Sequence, residues 1–292
     1  MNKQAQKGKL TLEEGHTRVV EVENIFLKCE YENPTGSWKD RGMVQQIRRL
    51  LEDRVKEAVI SSSGNAAISA ASYCRVAGVK LTVFISPKIN KAKLDHLAQL
   101  VESSCIIKTN KPLSASIQYS QKTNAANLRQ SKDPHALAGY ENLAYELSDE
   151  IPKFDAVFLP VSSGTATLGM ANGFLKLGHL PPIHAIQTEA VHPIASLFDK
   201  AFQGKNKSLA DAIVARFTPL EDRVIKIIKK SHGWGWVIAD GQMKKARAWL
   251  LSHNVNCSYE GAATVAALWK ARSSGYNYKN PVCVLSGKYY PV

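Results

Sequence analysis

The chain is poor in cysteine: its five (Cys29, Cys74, Cys105, Cys257 and Cys283) are an odd number and form no C-x-x-C pair. That excludes a disulfide-built miniprotein and the common zinc and redox motifs. The eight histidines are scattered, and His179 and His184 are separated by Pro181 and Pro182 rather than set on a metalloprotease helix, so no metal is expected. Acidic residues are in deficit, with 25 Asp and Glu against 38 Lys and Arg and a net charge of +13, so the partners expected are anions. No stretch approaches the roughly 20 apolar residues of a membrane helix. The opening MNKQAQKGKL is polar and basic, without the apolar run of a signal peptide. A soluble, cytoplasmic protein with no membrane partner is expected. There is no G-x-G-x-x-G and no Gly-Lys-Ser/Thr ending, which disfavours dinucleotides and nucleoside triphosphates.

What the sequence does hold is ample apolar material, 45% of 292 residues, arranged in a repeating order. Short runs rich in Val, Ile and Phe (25–31, 57–62, 80–86, 105–108, 155–161, 183–188, 281–286) read as strands. Segments of helical period fall between them, at 39–53, 65–77, 91–101, 113–129, 140–150, 166–177, 193–203, 240–253 and 260–272. This alternation predicts an α/β fold with parallel sheets covered by helices. Residues 204–236, ending in HGWGW, read as a cover or interface region rather than sheet, and QSKDPHALAG (130–139) reads as a crossing between subdomains.

Three strand ends lead through Gly-, Ser- and Thr-rich corners into helices, and in open α/β sheets such corners gather where ligands bind. In ENPTGSWKDRGM (32–43), Pro34 and Gly36 make the turn, Ser37 reads as the N-cap and Lys39 falls in the first helical turn. The positive end of the helix dipole lowers the pKa of a lysine placed there, which suits a Schiff-base nucleophile. An exposed lysine balanced by Asp40 is the plainer alternative. In SSSGNAAIS (61–69), Ser62, Ser63, Gly64 and Asn65 open a helix and suit a carboxylate, or serve as an ordinary N-cap. In PVSSGTATLG (160–169), Ser162, Ser163, Gly164, Thr165 and Ala166 offer successive amides and hydroxyls that fit a phosphate.

An activated lysine, a carboxylate site and a phosphate cup together suggest pyridoxal phosphate with an amino-acid substrate. The run from Asn33 to Gly42, N-P-T-G-S-W-K-D-R-G, resembles the signature of the fold-type II (tryptophan synthase beta-like) pyridoxal-phosphate enzymes, with Trp38 where Phe is usual. Within that family the chain is most similar to the threonine synthases, and the likeness extends through LEEGHTRVVEVENIFLKCE (12–30), GYENLAYELSDEI (139–151) and VLSGK (284–288). The resemblance implies two three-layer open-sheet domains with the cofactor in the cleft between them. Residues 1–39 plus 139–292 would be the large cofactor-binding domain, and 40–138 a smaller mobile domain carrying the asparagine loop.

It implies that Lys39 binds the cofactor and is the catalytic base, that Asn65 sits beside its 3-hydroxyl, and that residues 162–166 hold its phosphate. Ser286 would face the pyridine nitrogen, and Ser62, Ser63, Gly64 and Asn65 would bind substrate. The activity implied is conversion of O-phosphohomoserine and water to threonine and phosphate. The alternative is a serine/threonine dehydratase or another β-eliminating enzyme. A non-catalytic cofactor binder and a basic nucleic-acid-binding protein are the less favoured readings, the latter because the basic residues are spread rather than clustered with aromatics. The partner expected is a small anionic amino acid; a homodimer is left open. A second anion site is expected for the substrate phosphate, its mouth framed by Ser37, Asp40 and Arg41.

Overall fold

A computed structural model of the chain describes residues 10–291, so the opening stretch read above lies, apart from Leu10, outside the described residues. The chain enters through a hairpin of β1 (Val19–Val22) and β2 (Ile25–Lys28), with Val22 opposite Ile25. Its two turn residues, Glu23 and Asn24, have φ of 51° and 60°, as a two-residue turn matched to strand twist requires. Next come α1 (Lys39–Glu52), β3 (Glu57–Ser61), α2 (Asn65–Ala77), β4 (Lys80–Ile85) and α3 (Lys91–Ala98). They are followed by β5 (Ile106–Lys108), α4 (Pro112–Thr123), β6 (Ala126–Asn127) and α5 (Pro134–Glu150). The remainder is β7 (Ala156–Pro160), α6 (Thr165–Lys176), β8 (Ile183–Thr188), α7 (Glu221–Lys230), β9 (Gly235–Ile238), α8 (Asp240–Ser252), α9 (Tyr259–Ser273) and β10 (Pro281–Val284).

These elements form two compact units. The first comprises 10–14, Asn33–Gly139 and 290–291; the second comprises Gly15–Glu32 and Tyr140–Tyr289. The first unit holds a four-stranded parallel sheet in the order β5-β4-β3-β6. Helix α1 turns Met43, Val44, Ile47 and Leu50 inward, a spacing that makes one apolar face, onto a core with Ile60, Val83 and Leu97. Helix α2, built of small residues (NAAISAASYCRVA), ends at Gly78 with φ 65°. At Gly139, still in the first unit, a Cβ would lie 1.8 Å from the Arg41 carbonyl oxygen, so the backbones of α5 and α1 touch there.

The second unit holds a six-stranded sheet in the order β1-β2-β10-β7-β8-β9, parallel except for β1. Strands β7 and β8 are buried along their whole length, as a sheet covered on both faces demands, and Leu27, Phe158, Ile186, Val265 and Cys283 lie in its core. Buried His184 in β8 accepts from the Trp236 indole (3.0 Å), and burial pushes its pKa down to about 3.

Four expectations are corrected. Residues 193–203 form no α-helix but a single 3-10 turn, Ala195–Leu197. Beyond that turn the amides that would continue a helix are taken by side chains, Ala201 by Asp199 Oδ1 (3.0 Å) and Gln203 by Glu189 Oε1 (3.4 Å). Residues 204–236 are not wholly outside the sheet, because Gly235 and Trp236 at their end belong to β9, which pairs with β8. The glycines of HGWGW permit close approach: a Cβ on Gly233 would lie 1.9 Å from the Ile183 carbonyl oxygen. Helix α4 stops at Thr123, where Asn124 turns left-handed (φ 57°), rather than running to 129. Helix α5 starts at Pro134, a residue suited to a first helical turn, rather than at 140.

Candidate active site

In the first unit the lysine corner is built around Asp40. The chain turns at Gly36 (φ 89°), whose amide donates to the Asn33 carbonyl at 2.7 Å. The Asp40 carboxylate reaches back to accept the Thr35 amide (2.8 Å) and hydroxyl (2.5 Å), and it also accepts the Ser69 hydroxyl of α2 (2.6 Å). The turn is thereby fixed and Lys39 becomes the first residue of α1. The N-cap is Trp38 rather than Ser37, although the Ser37 hydroxyl still accepts from the Lys39 amide at 3.4 Å.

The Lys39 ammonium donates to Gln130 Oε1 at 3.5 Å, and burial pushes its pKa down to about 8. Burial pushes the Asp40 carboxyl up to about 6, against the pull of its three hydrogen bonds. Ser37, Asp40 and Arg41 do not frame an open mouth: all three are buried, and the Asp40 oxygens are committed to the turn.

The second corner of this unit follows β3. Ser62, Ser63, Gly64 and Asn65 are partly accessible, with Asn65 the first residue of α2. The Ser63 hydroxyl accepts the Ser86 amide (2.8 Å), fastening the loop beyond the end of β4, and Ser62 accepts the Gly64 amide (3.2 Å). Nothing lies within 4 Å of where a Gly64 Cβ would stand, so the front of the loop is open. Lys39 and Asn65 thus both begin helices, and the Asp40–Ser69 bond couples those helices.

In the second unit, β7 leads through Val161, Ser162, Ser163 and Gly164 into α6, whose first-turn amides have no carbonyl four residues back within the helix. Gly164 is left-handed (φ 83°), and a Cβ on it would strike Val224 of α7 at 2.5 Å. The Ser163 and Thr165 hydroxyls are 3.0 Å apart. The Ser162 hydroxyl accepts the amides of Val214 (3.2 Å) and Ala215 (3.3 Å), while the Thr218 hydroxyl donates to the Ser163 carbonyl at 2.6 Å.

Ser286, buried, follows β10, which lies next to β7; their register, Cys283 opposite Phe158, continued three residues, sets Ser286 level with Val161. The topology therefore brings Ser286 and the 162–166 loop to one sheet edge. The 210–218 segment over this loop escaped the sequence reading because it has neither strand nor helix period; the seryl hydroxyls gave no sign of what they bind.

A family model described as pyridoxal-phosphate dependent enzyme matches residues 10–287. Among curated relatives, a threonine synthase of Halalkalibacterium halodurans is 26% identical, over 95% of this chain and 83% of the relative. An L-threonine ammonia-lyase of Thermotoga maritima is 27% identical, over 84% of this chain and 62% of the relative. Among solved structures, maize serine racemase superposes with a TM-score of 0.82 at 20% identity, covering 94% of this chain and 89% of that one, a likeness of fold. The chain belongs to the pyridoxal-phosphate dependent enzymes, and its fold is that of fold type II.

The residues present fit that cofactor part by part. An aldehyde needs an amine that is neutral close to physiological pH, and Lys39 provides one. A doubly charged phosphate needs amide donors, and the first-turn amides of α6, which opens at Thr165 behind the left-handed Gly164, are of the kind that suit one.

Proposed function

We propose that the chain is a pyridoxal-phosphate-dependent lyase of the threonine synthase type, converting O-phosphohomoserine and water to threonine and phosphate. The observation that carries the enzymatic reading is Lys39 at the first position of α1 with its amine lowered to about 8. The choice of reaction is supported by the threonine synthase relatives, which align over 91–95% of the chain where the ammonia-lyase aligns over 84%.

When bound, the cofactor supplies a sink for the negative charge that develops at Cα of an amino acid. Lys39 takes the Cα proton and later returns a proton to the carbon skeleton, a task for an amine that titrates near the working pH. Ser62, Ser63, Gly64 and Asn65, at the N-terminus of the 13-residue α2, hold the substrate carboxylate, and Asn65 orients the ring through its 3-hydroxyl. Ser162, Ser163, Gly164, Thr165 and Ala166 hold the cofactor phosphate. Ser286, a neutral hydroxyl, partners the ring nitrogen without keeping it protonated, so more of the work falls on Lys39.

A second reading, a serine/threonine dehydratase, is supported by the ammonia-lyase relative. The test measures phosphate release and threonine formation from O-phosphohomoserine beside ammonia release from threonine and serine. Threonine formation with competitive inhibition by millimolar phosphate is expected; efficient serine deamination without phosphate inhibition establishes the dehydratase instead. In Lys39→Ala the long-wavelength absorbance of the holoenzyme should disappear.

A further inference from the structure

The 162–166 loop has a weakness that its own residues do not cure. The Ser163–Gly164 peptide adjoins a glycine, and glycine tolerates both signs of φ, so this peptide can rotate with little steric resistance. In one orientation its N–H points at a bound anion; in the other its carbonyl oxygen does, and repels it. A planar trans peptide carries its C=O and N–H on opposite sides, so whatever holds the Ser163 oxygen also aims the Gly164 amide.

The Thr218 hydroxyl holds it, donating to the Ser163 oxygen at 2.6 Å. Thr218 is itself fixed: it is 3% exposed, and its hydroxyl oxygen accepts the Leu220 amide at 3.3 Å, just ahead of α7. The segment that carries it is tied down twice more. Ser162 accepts the amides of Val214 and Ala215, and Glu260 of α9 accepts the Ala212 amide at 2.7 Å. Val224 closes the remaining side of Gly164.

We propose that Thr218 is a positioning residue for the cofactor phosphate, fixing the Ser163–Gly164 peptide so that the Gly164 amide faces the anion. The inference rests on the reading that residues 162–166 hold that phosphate. It goes beyond the loop by assigning its geometry to a hydroxyl more than fifty residues away in sequence, which itself has no part in the chemistry.

The test compares the affinity of the apoprotein for pyridoxal phosphate with that for pyridoxal, which lacks the phosphate, by absorbance titration. The phosphorus NMR shift of the bound cofactor is recorded alongside. Thr218→Val should weaken pyridoxal phosphate binding about tenfold or more and move the phosphorus signal, with pyridoxal affinity unchanged within about twofold. Thr218→Ser, which keeps the donor, should match the parent.

Equal weakening for both ligands, or none for either, overturns the proposal. Should Thr218→Val fail to fold, Thr218→Cys, a weak donor of similar size, must still bind pyridoxal phosphate more weakly than Thr218→Ser; equal affinities overturn it. Gly164→Val separates the two levels. If it leaves pyridoxal phosphate affinity intact, the phosphate lies elsewhere and both readings fall. If it abolishes that affinity while Thr218→Val does not, only the role of Thr218 falls.

Discussion

Asp40 shows how a single carboxylate can organise a corner whose chemistry belongs to its neighbour. Its three donors, the Thr35 amide and the hydroxyls of Thr35 and Ser69, are all neutral, so the charge is stabilised by hydrogen bonds while burial opposes it. Ser69→Ala removes one of them and raises the Asp40 pKa above its present value of about 6. The sign of the pH dependence follows. Only above the variant's raised pKa is the carboxylate charged in both native proteins, and there the variant loses the full charged bond, about 2 kcal/mol; the difference shrinks as the pH falls from that value toward about 6. As the pH falls through 6 the carboxyl is protonated in both proteins, and their stabilities converge. Urea denaturation at pH 8 and pH 5 measures this: a difference that stays constant or grows on acidification contradicts the account.

Among the elements, the crossing of α5 over α1 is the most demanding. An alanine at Gly139 would put its Cβ 1.8 Å from the Arg41 oxygen and 2.5 Å from its carbon, both backbone atoms that cannot swing aside. The gain in helix propensity from Gly to Ala is about 1 kcal/mol. Overpacking of this kind costs about 1–3 kcal/mol where side chains can yield, and more here. Gly139→Ala should therefore lower the denaturation midpoint and loosen the lysine corner, measured as weaker cofactor binding.

The same elements show what the sequence could disclose. The three corners were legible because turn residues, an N-terminal hydroxyl or amide and an apolar strand stand next to one another in the chain. Helix α7 did carry signals, with Glu221 and Asp222 in its first turn, Lys229 and Lys230 in its last and Val224 and Ile228 one turn apart, but its ten residues were passed over inside a longer irregular segment; β9 was hidden because its glycines serve close approach rather than a turn. The start of α5 was hidden because QSKDPHALAG read as a crossing between subdomains, whereas its Pro134 is a first-turn residue. Asp40–Ser69 and Thr218–Ser163 are invisible in sequence because each joins residues 29 or more positions apart through side chains that also make ordinary caps.

On the scale of the whole molecule, the two units differ in how they use the chain. Most of the first is one continuous stretch, Asn33–Gly139, whereas the second is assembled from Gly15–Glu32 and Tyr140–Tyr289. No described helix is long and apolar enough to cross a membrane. In the second unit β10, the last described strand, lies in the interior of the sheet, paired with β2 on one side and β7 on the other. Val282→Pro, which removes a donor from that strand, should expose β2 and β7 to amide hydrogen exchange while β3 and β4 remain protected. Loss of protection throughout both units would show that they unfold as one. For a chain growing on the ribosome, the position of β10 sets an order of events. The Asn33–Gly139 stretch can fold while synthesis continues, but the larger sheet remains two fragments with open edges until residue 284 has emerged, and through that interval it depends on its surroundings to avoid pairing with the wrong strand.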